Sequence, residues 1–254
     1  MPSDLPLSHA AETVRRLDRD RFVTALFAAS APRERLMLLY AFNAEVARVR
    51  DSVREPVAGM IRLQWWREAL AGEREAEIAG HPVAGPLLAA CRAHKVGGGA
   101  FERLLEARER DLSGEPFATL EELEAYAADT SASLTRLAVE FLGVRDDASL
   151  AAGEAVGTAF ALVGLLRAAA LRPVLPDLDR DRVRRVAERA EVLLAGARQQ
   201  RVDRRGLAAL LPATIASGHL RTLKRAGWDV RDESVVVPKR MPLRLAFNAV
   251  RGRF

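Results

Sequence analysis

Residues 32–53 read PRERLMLLYAFNAEVARVRDSV, and the fold turns on this stretch. Its apolar residues recur at three and four, the period of a helix with one side buried. Pro32, two residues after Ser30, suits the first turn of such a helix. Glu45 and Asp51 stand among the apolar residues as they would in a metal-binding element, where acids at i and i+4 share one face. Four positions before Asp51, however, stands Ala47, and the intervening residues include Arg48 and Arg50. The helix keeps the pattern of a metal site and places cations where an acid belongs.

The helical period continues along the chain. Alanine, leucine, arginine and glutamate dominate, all good helix formers, and alternating β-branched runs are almost absent apart from VVV at 235–237. The spacing predicts helices near 8–28, 32–53, 56–72, 83–94, 98–113, 119–142, 148–172, 179–198, 203–226 and 241–250. Thr119 with Glu122 three later forms a capping box. Gly143 stops the helix ending at Phe141 and Leu142, and Pro173 and Pro176 end the one through Arg172. No repeat or composition break divides the chain. The expectation is one all-α domain over residues 1–254 with a basic amphipathic tail at about 235–254.

Composition narrows the function classes. With 254 residues, 49% hydrophobic and 29% charged, the chain reads as an ordinary globular protein with a large core. Cys91 is the single cysteine, which excludes an internal disulfide and a cysteine-based zinc site and fits a reducing compartment. His9, His81, His94 and His219 lie far apart and read as surface or capping residues. The N-terminus lacks the apolar core of a secretory signal. No stretch approaches the roughly 18 uninterrupted apolar residues that span a bilayer, so AVGTAFALVGLL (155–166) reads as a buried helix. The expected location is cytoplasmic, including a peripheral position on the inner face of the cytoplasmic membrane. Net charge is +5, and Lys239, Arg240, Arg244, Arg251 and Arg253 carry that excess within the last twenty residues. The remainder is near neutral, which argues against nucleic acid as a partner.

Residues 20–72 resemble the opening of squalene and phytoene synthases: Arg35 on the helix from Pro32, LYAF at 39–42, the stretch to Asp51, then Trp66 and Arg67. HPVAGPLLAAC (81–91), FERLLEARERDL (101–112), TLEELEAYA (119–127) and VGTAFALVGLLR (156–167) follow in the family's order. The resemblance implies a single helical bundle of the isoprenoid synthase type with a central cavity. In that family two facing helices present carboxylates that hold magnesium on a diphosphate. Here the family's leading acids fall on Ala47 and Arg48, leaving Asp51; on the second helix Gly164, Ala168 and Arg172 stand where an asparagine and two aspartates belong, while Arg167 is kept.

Those departures resemble the branch of assembly factors for mitochondrial respiratory complex I and their bacterial relatives, carried by MIRLQWW (60–66), YAADTSASL (126–134) and LLRAAALRPVLP (165–176). The resemblance implies a catalytically degenerate protein that binds complex I subunits or assembly intermediates. An active prenyl-diphosphate transferase with atypical metal binding, and a carrier of isoprenoid or anionic lipid, stand as alternatives. No cofactor is expected, with magnesium required by the enzyme reading alone. Asp51, Asp111 and Tyr126 are the relic catalytic candidates, against internal pairing of Asp51 with Arg48, Arg54 or Arg167. Arg35, Arg48, Arg167 and Arg172 are the anion or diphosphate candidates, against pairing with Glu45, Asp51 and Asp111; no metal ligand is assigned. Of the adjacent Trp65 and Trp66, one is expected in the core and one as an anchor. Lys239, Arg240, Arg244, Phe247 and Arg251 are candidates for contact with a membrane surface or partner, against a tail docked on the domain.

Overall fold

Helix ends are written in side-chain chemistry throughout. The structure, a computed structural model, describes residues 7–97, 99–171, 174–175, 177–236 and 241–254, and none of these lies in a strand. Helix α1 (His9–Leu17) starts where the Ser8 hydroxyl accepts from the Ala11 N–H at 3.1 Å. The chain turns at Asp18, whose carboxylate accepts from Arg21 N–H and so starts α2 (Arg19–Ala25). The predicted segment 8–28 is therefore two helices.

The opening stretch forms α3 (Ser30–Ala47) and a single turn, α4 (Val49–Ser52). They break at Arg48, with φ −100° and ψ 1°, so Ala47 and Asp51 do not share one continuous helix. Pro56 opens α5 (Pro56–Ala71), which closes on Gly72 at φ 83°. A short helix not expected from the sequence, α6 (Glu75–Ile78), precedes α7 (Ala84–His94). The His81 Nδ1 accepts from the N–H groups of Val83 and Ala84 at 3.2 and 3.0 Å, capping α7. Helix α8 (Gly99–Arg110) follows.

The capping box opens α9 (Leu120–Ala127): Thr119 Oγ1 accepts from Glu122 N–H, and the Glu122 carboxylate accepts from Ala118 N–H. The helix then widens into a π turn, Ala128–Ala132, before continuing as α10 (Ser133–Phe141). Within this segment, Thr130 and Thr135 donate back to the carbonyls of Tyr126 and Ser131. The widened turn lies against α11 (Asp147–Ala168), and Gly157 makes the fit. A Cβ there would stand 2.4 Å from the Ser131 carbonyl oxygen and 2.6 Å from the Ala132 Cα, both backbone atoms.

Helix α11 sits at the centre, touching α9, the π turn, α10, α12 (Arg180–Gln199), α13 (Leu207–Leu210) and α14 (Pro212–Arg225). At 22 residues it is long and apolar enough by length and composition to cross a membrane, which the shorter apolar run had not suggested. Most of it is buried among its neighbours, as a core helix is. Two last helices, α15 (Glu233–Val236) and α16 (Pro242–Arg251), complete the chain. The core joins Val14, Leu36, Phe42, Leu63, Leu134 and Leu162, all at most 2% exposed. His219 is also buried, unlike the surface position expected of it.

Candidate functional site

The three relic candidates meet in one place. Asp51 on α4, Asp111 just beyond α8 and Tyr126 on α9 line a single opening of about 560 Å³, together with Arg50, Arg108 and Phe117. The Tyr126 hydroxyl donates to both Asp111 oxygens, at 2.8 and 2.9 Å, and accepts from Arg108 Nη1 at 2.6 Å. Arg108 Nη1 also reaches Asp111 Oδ2 at 3.1 Å. Arg108 is drawn down by burial, but Tyr126 and Asp111 outweigh that and hold its pKa above the usual value. The Asp111 carboxylate is thus engaged inside the protein. Asp51 has no ion pair or side-chain hydrogen bond among the described residues, including with Arg48, Arg54 or Arg167.

The anion candidates do not converge. Arg35 donates through Nε to the Phe141 carbonyl at 3.0 Å, tying α3 to the C-terminal end of α10. Arg48 lines a separate opening of about 410 Å³ with Glu45, Arg62, Trp65, Trp66 and His81. Arg167 faces Asp20 at 3.6 Å, and its Nε, like that of Arg108, is buried without an acceptor among the described residues. Arg172, Lys239 and Arg240 lie outside the described residues. Arg244, Phe247 and Arg251 all lie on α16, away from this opening.

Burial sets the protonation of the second opening. It pushes the Glu45 carboxyl up to about 7, and burial with His9 beside it holds His81 below its ordinary value. Near pH 7 their 3.7 Å contact therefore joins a mostly neutral imidazole to a carboxyl that is about half ionised. Trp66 is buried against Phe42 with ring centroids 4.9 Å apart, while Trp65 is half-buried and donates to Glu77. His219 is held down to about 4 by burial first and Arg167 second.

Sequence reasoning missed Arg21. It is 9% exposed and lies between α2, α3, the π turn and α11. It donates to Asp18 at 2.8 Å and Ser131 at 2.7 Å, and its guanidinium stands 4.8 Å from the Phe160 ring centroid and 5.9 Å from that of Tyr40. The i, i+3 spacing of Asp18 and Arg21 was readable; the long-range contact with Ser131 was not.

The residues present do not fit the family's magnesium. Ala47, Gly164 and Ala168 offer no side-chain oxygen, Arg48 is a cation, and Asp111 is held by Tyr126 and Arg108. Among the described residues no three histidine, cysteine or acidic side chains group as metal ligands would. A lone carboxylate is a weak magnesium ligand.

A family model for squalene/phytoene synthase matches residues 14–182. The chain is 28% identical to the Rattus norvegicus protein named NADH dehydrogenase (ubiquinone) complex I, assembly factor 6, over 98% of this chain and 84% of that one. The Homo sapiens protein of the same name is 31% identical over 63% of this chain and 48% of that one. Among solved structures, a dehydrosqualene synthase in complex with ligand superposes with a TM-score of 0.78 at 16% identity, covering 96% of this chain and 94% of that one. The squalene synthase HpnC from Alicyclobacillus acidocaldarius gives 0.71 at 22% identity, over 87% and 95%. At these identities the likeness to solved structures speaks for the fold.

Proposed function

Because the chain belongs to the squalene/phytoene synthase family yet keeps only Asp51 of the carboxylates its metal sites would need, we propose that it is a catalytically degenerate member acting as a non-enzymatic assembly factor for membrane respiratory complex I. One observation carries the reading. In the opening where the relic residues meet, Asp111 is tied to Tyr126 and Arg108, and its other acids, Asp51 and Glu115, join no group of three metal-ligating side chains among the described residues. Without clustered carboxylates there is nothing to bring magnesium to a diphosphate leaving group, and ionisation of an allylic substrate lacks its main electrostatic support. The near full-length likeness to proteins named as complex I assembly factors supports the same reading.

On this proposal the partners are complex I subunits or assembly intermediates, and the chain works as a peripheral protein on the inner face of the cytoplasmic membrane, without a cofactor. The test is complementation of a deletion strain, read by assembled complex I on native gels. The deletion loses assembled complex, and Asp51→Ala restores it as well as the wild type does. Normal complex I in the deletion strain overturns the reading. So does product formed from farnesyl diphosphate and magnesium by the purified chain and abolished by Asp51→Ala.

A further inference from the structure

A different opening, of about 440 Å³, lies where α12, α14 and α16 meet, and four arginines surround it. Arg198 comes from the end of α12, Arg221 from α14, Arg244 from α16 and Arg253 from the residues after it, with Ser217 and Asn248 between them. Arg221, Arg244 and Arg253 form no ion pair among the described residues, and Glu191, which also borders the opening, pairs with none of the four. Arg198 is held in place, donating to Ser217 Oγ and to the Phe254 backbone oxygen, both at 2.7 Å. Burial lowers the pKa of Arg198 and Arg221, and their arginine neighbours lower it further: Arg244 for the first; Arg244, Arg225 and Arg198 for the second. Guanidiniums gathered this way repel one another, and an anion between them relieves that repulsion.

Helix α16 adds an apolar partner to this charge. Leu245 docks it, buried against Leu211 and Ile215, and Asn248 donates to Thr214 at 2.8 Å. On the opposite side Leu243, Phe247 and Val250 are 86%, 55% and 81% exposed. Their i, i+4, i+7 spacing makes one stripe along the helix. Arg244 lines the opening beside that stripe, and the Arg251 guanidinium covers the Phe247 ring at 4.4 Å from its centroid. The helix carries no acid.

We propose that this opening binds the phosphate of an anionic phospholipid, with the Leu243–Phe247–Val250 stripe seated at the edge of the acyl layer of the same bilayer. The arrangement matches an interfacial helix: apolar side down, arginines at headgroup height. A free phosphate would account for the arginines but not for the stripe. The proposal deepens the membrane-surface part of the function argued above, and its test contains no complex I component, so either reading can fail alone.

The full purified chain is floated with phosphatidylcholine vesicles, and with vesicles in which about one third of the lipid is phosphatidylglycerol. It binds the second kind and not the first. The double variant Arg221→Ala/Arg244→Ala weakens that binding about tenfold or more, and Phe247→Ser weakens it separately, with helical circular dichroism unchanged in both. Inorganic phosphate does not release the protein. Equal binding to neutral vesicles, absence of binding, or full binding by the arginine variant overturns the proposal. Release by inorganic phosphate, with Phe247→Ser binding normally, assigns the opening to a soluble anion and overturns the lipid claim. Binding of an acidic protein segment, with vesicles ignored, does the same.

Discussion

Two groups of arginines divide this molecule. Those facing inward on α2 and α8 are matched: Arg21 by Asp18 and Ser131, and Arg108 by Asp111 and Tyr126. Those around α16 are not, for Arg221, Arg244 and Arg253 have no acid partner among the described residues. The difference follows from solvation. A buried charge without a partner costs several kcal/mol, so an interior that keeps arginine must supply its acceptors. A surface cluster can leave its charges open because water and counterions screen them. The region where Asp111, Tyr126 and Arg108 meet therefore reads as an internally paired network, and the C-terminal region as one that leaves its charges open.

The largest expected effect tests the closed side. Arg21→Ala leaves Asp18 and Ser131 without their donor and removes the cation from between Tyr40 and Phe160. A loss of about 3 kcal/mol in urea unfolding is expected; a loss below about 1 kcal/mol would mean the interior rearranges around the gap. Next comes Tyr126→Phe, which strips Asp111 of a donor and Arg108 of an acceptor. It should cost about 1–2 kcal/mol, with complex I assembly intact; an unchanged midpoint would show that water replaces the hydroxyl.

A smaller effect depends on pH. Glu45 titrates near 7 in the fold against an ordinary 4.5, so the folded chain holds this proton more tightly than the unfolded one. Its stabilising contribution is complete below about pH 4.5 and fades as pH rises to about 7. Glu45→Gln removes that slope and stabilises the protein at pH 8 by about 1 kcal/mol, allowing for its partial exposure. Parallel stability–pH curves for variant and wild type between pH 5 and 8 would rule this out. The smallest effect belongs to the open side. Arg244→Ala should change stability by less than about 0.5 kcal/mol, since it breaks no ion pair; a loss above about 1 kcal/mol would place Arg244 with the matched arginines instead.

Helix placement was readable because its cause is local. The three-and-four period and the Thr119 cap act within a few residues, and the structure places helices at each predicted segment. The interruptions at Asp18 and Arg48 and the π turn at Ala128–Ala132 were not readable, since apolar period alone does not distinguish a continuous helix from one that bends to meet a neighbour. Asp51, Asp111 and Tyr126 were each singled out and do share an opening. Arg35, Arg48 and Arg167 were each singled out as anion candidates, and the structure places them in three separate surroundings.

Residue order therefore settled the all-helical architecture and the missing carboxylates, because substituting Ala47 or Ala168 for an acid removes a ligand wherever the side chain points. Which charges meet was settled by packing. Arg198, Arg221 and Arg253 are separated by whole helices, and the approach of α12, α14 and α16 gathers them around one opening. Electrostatic pairing acts over a few ångströms of space, and spacing along a chain does not specify that distance once more than one helix is involved.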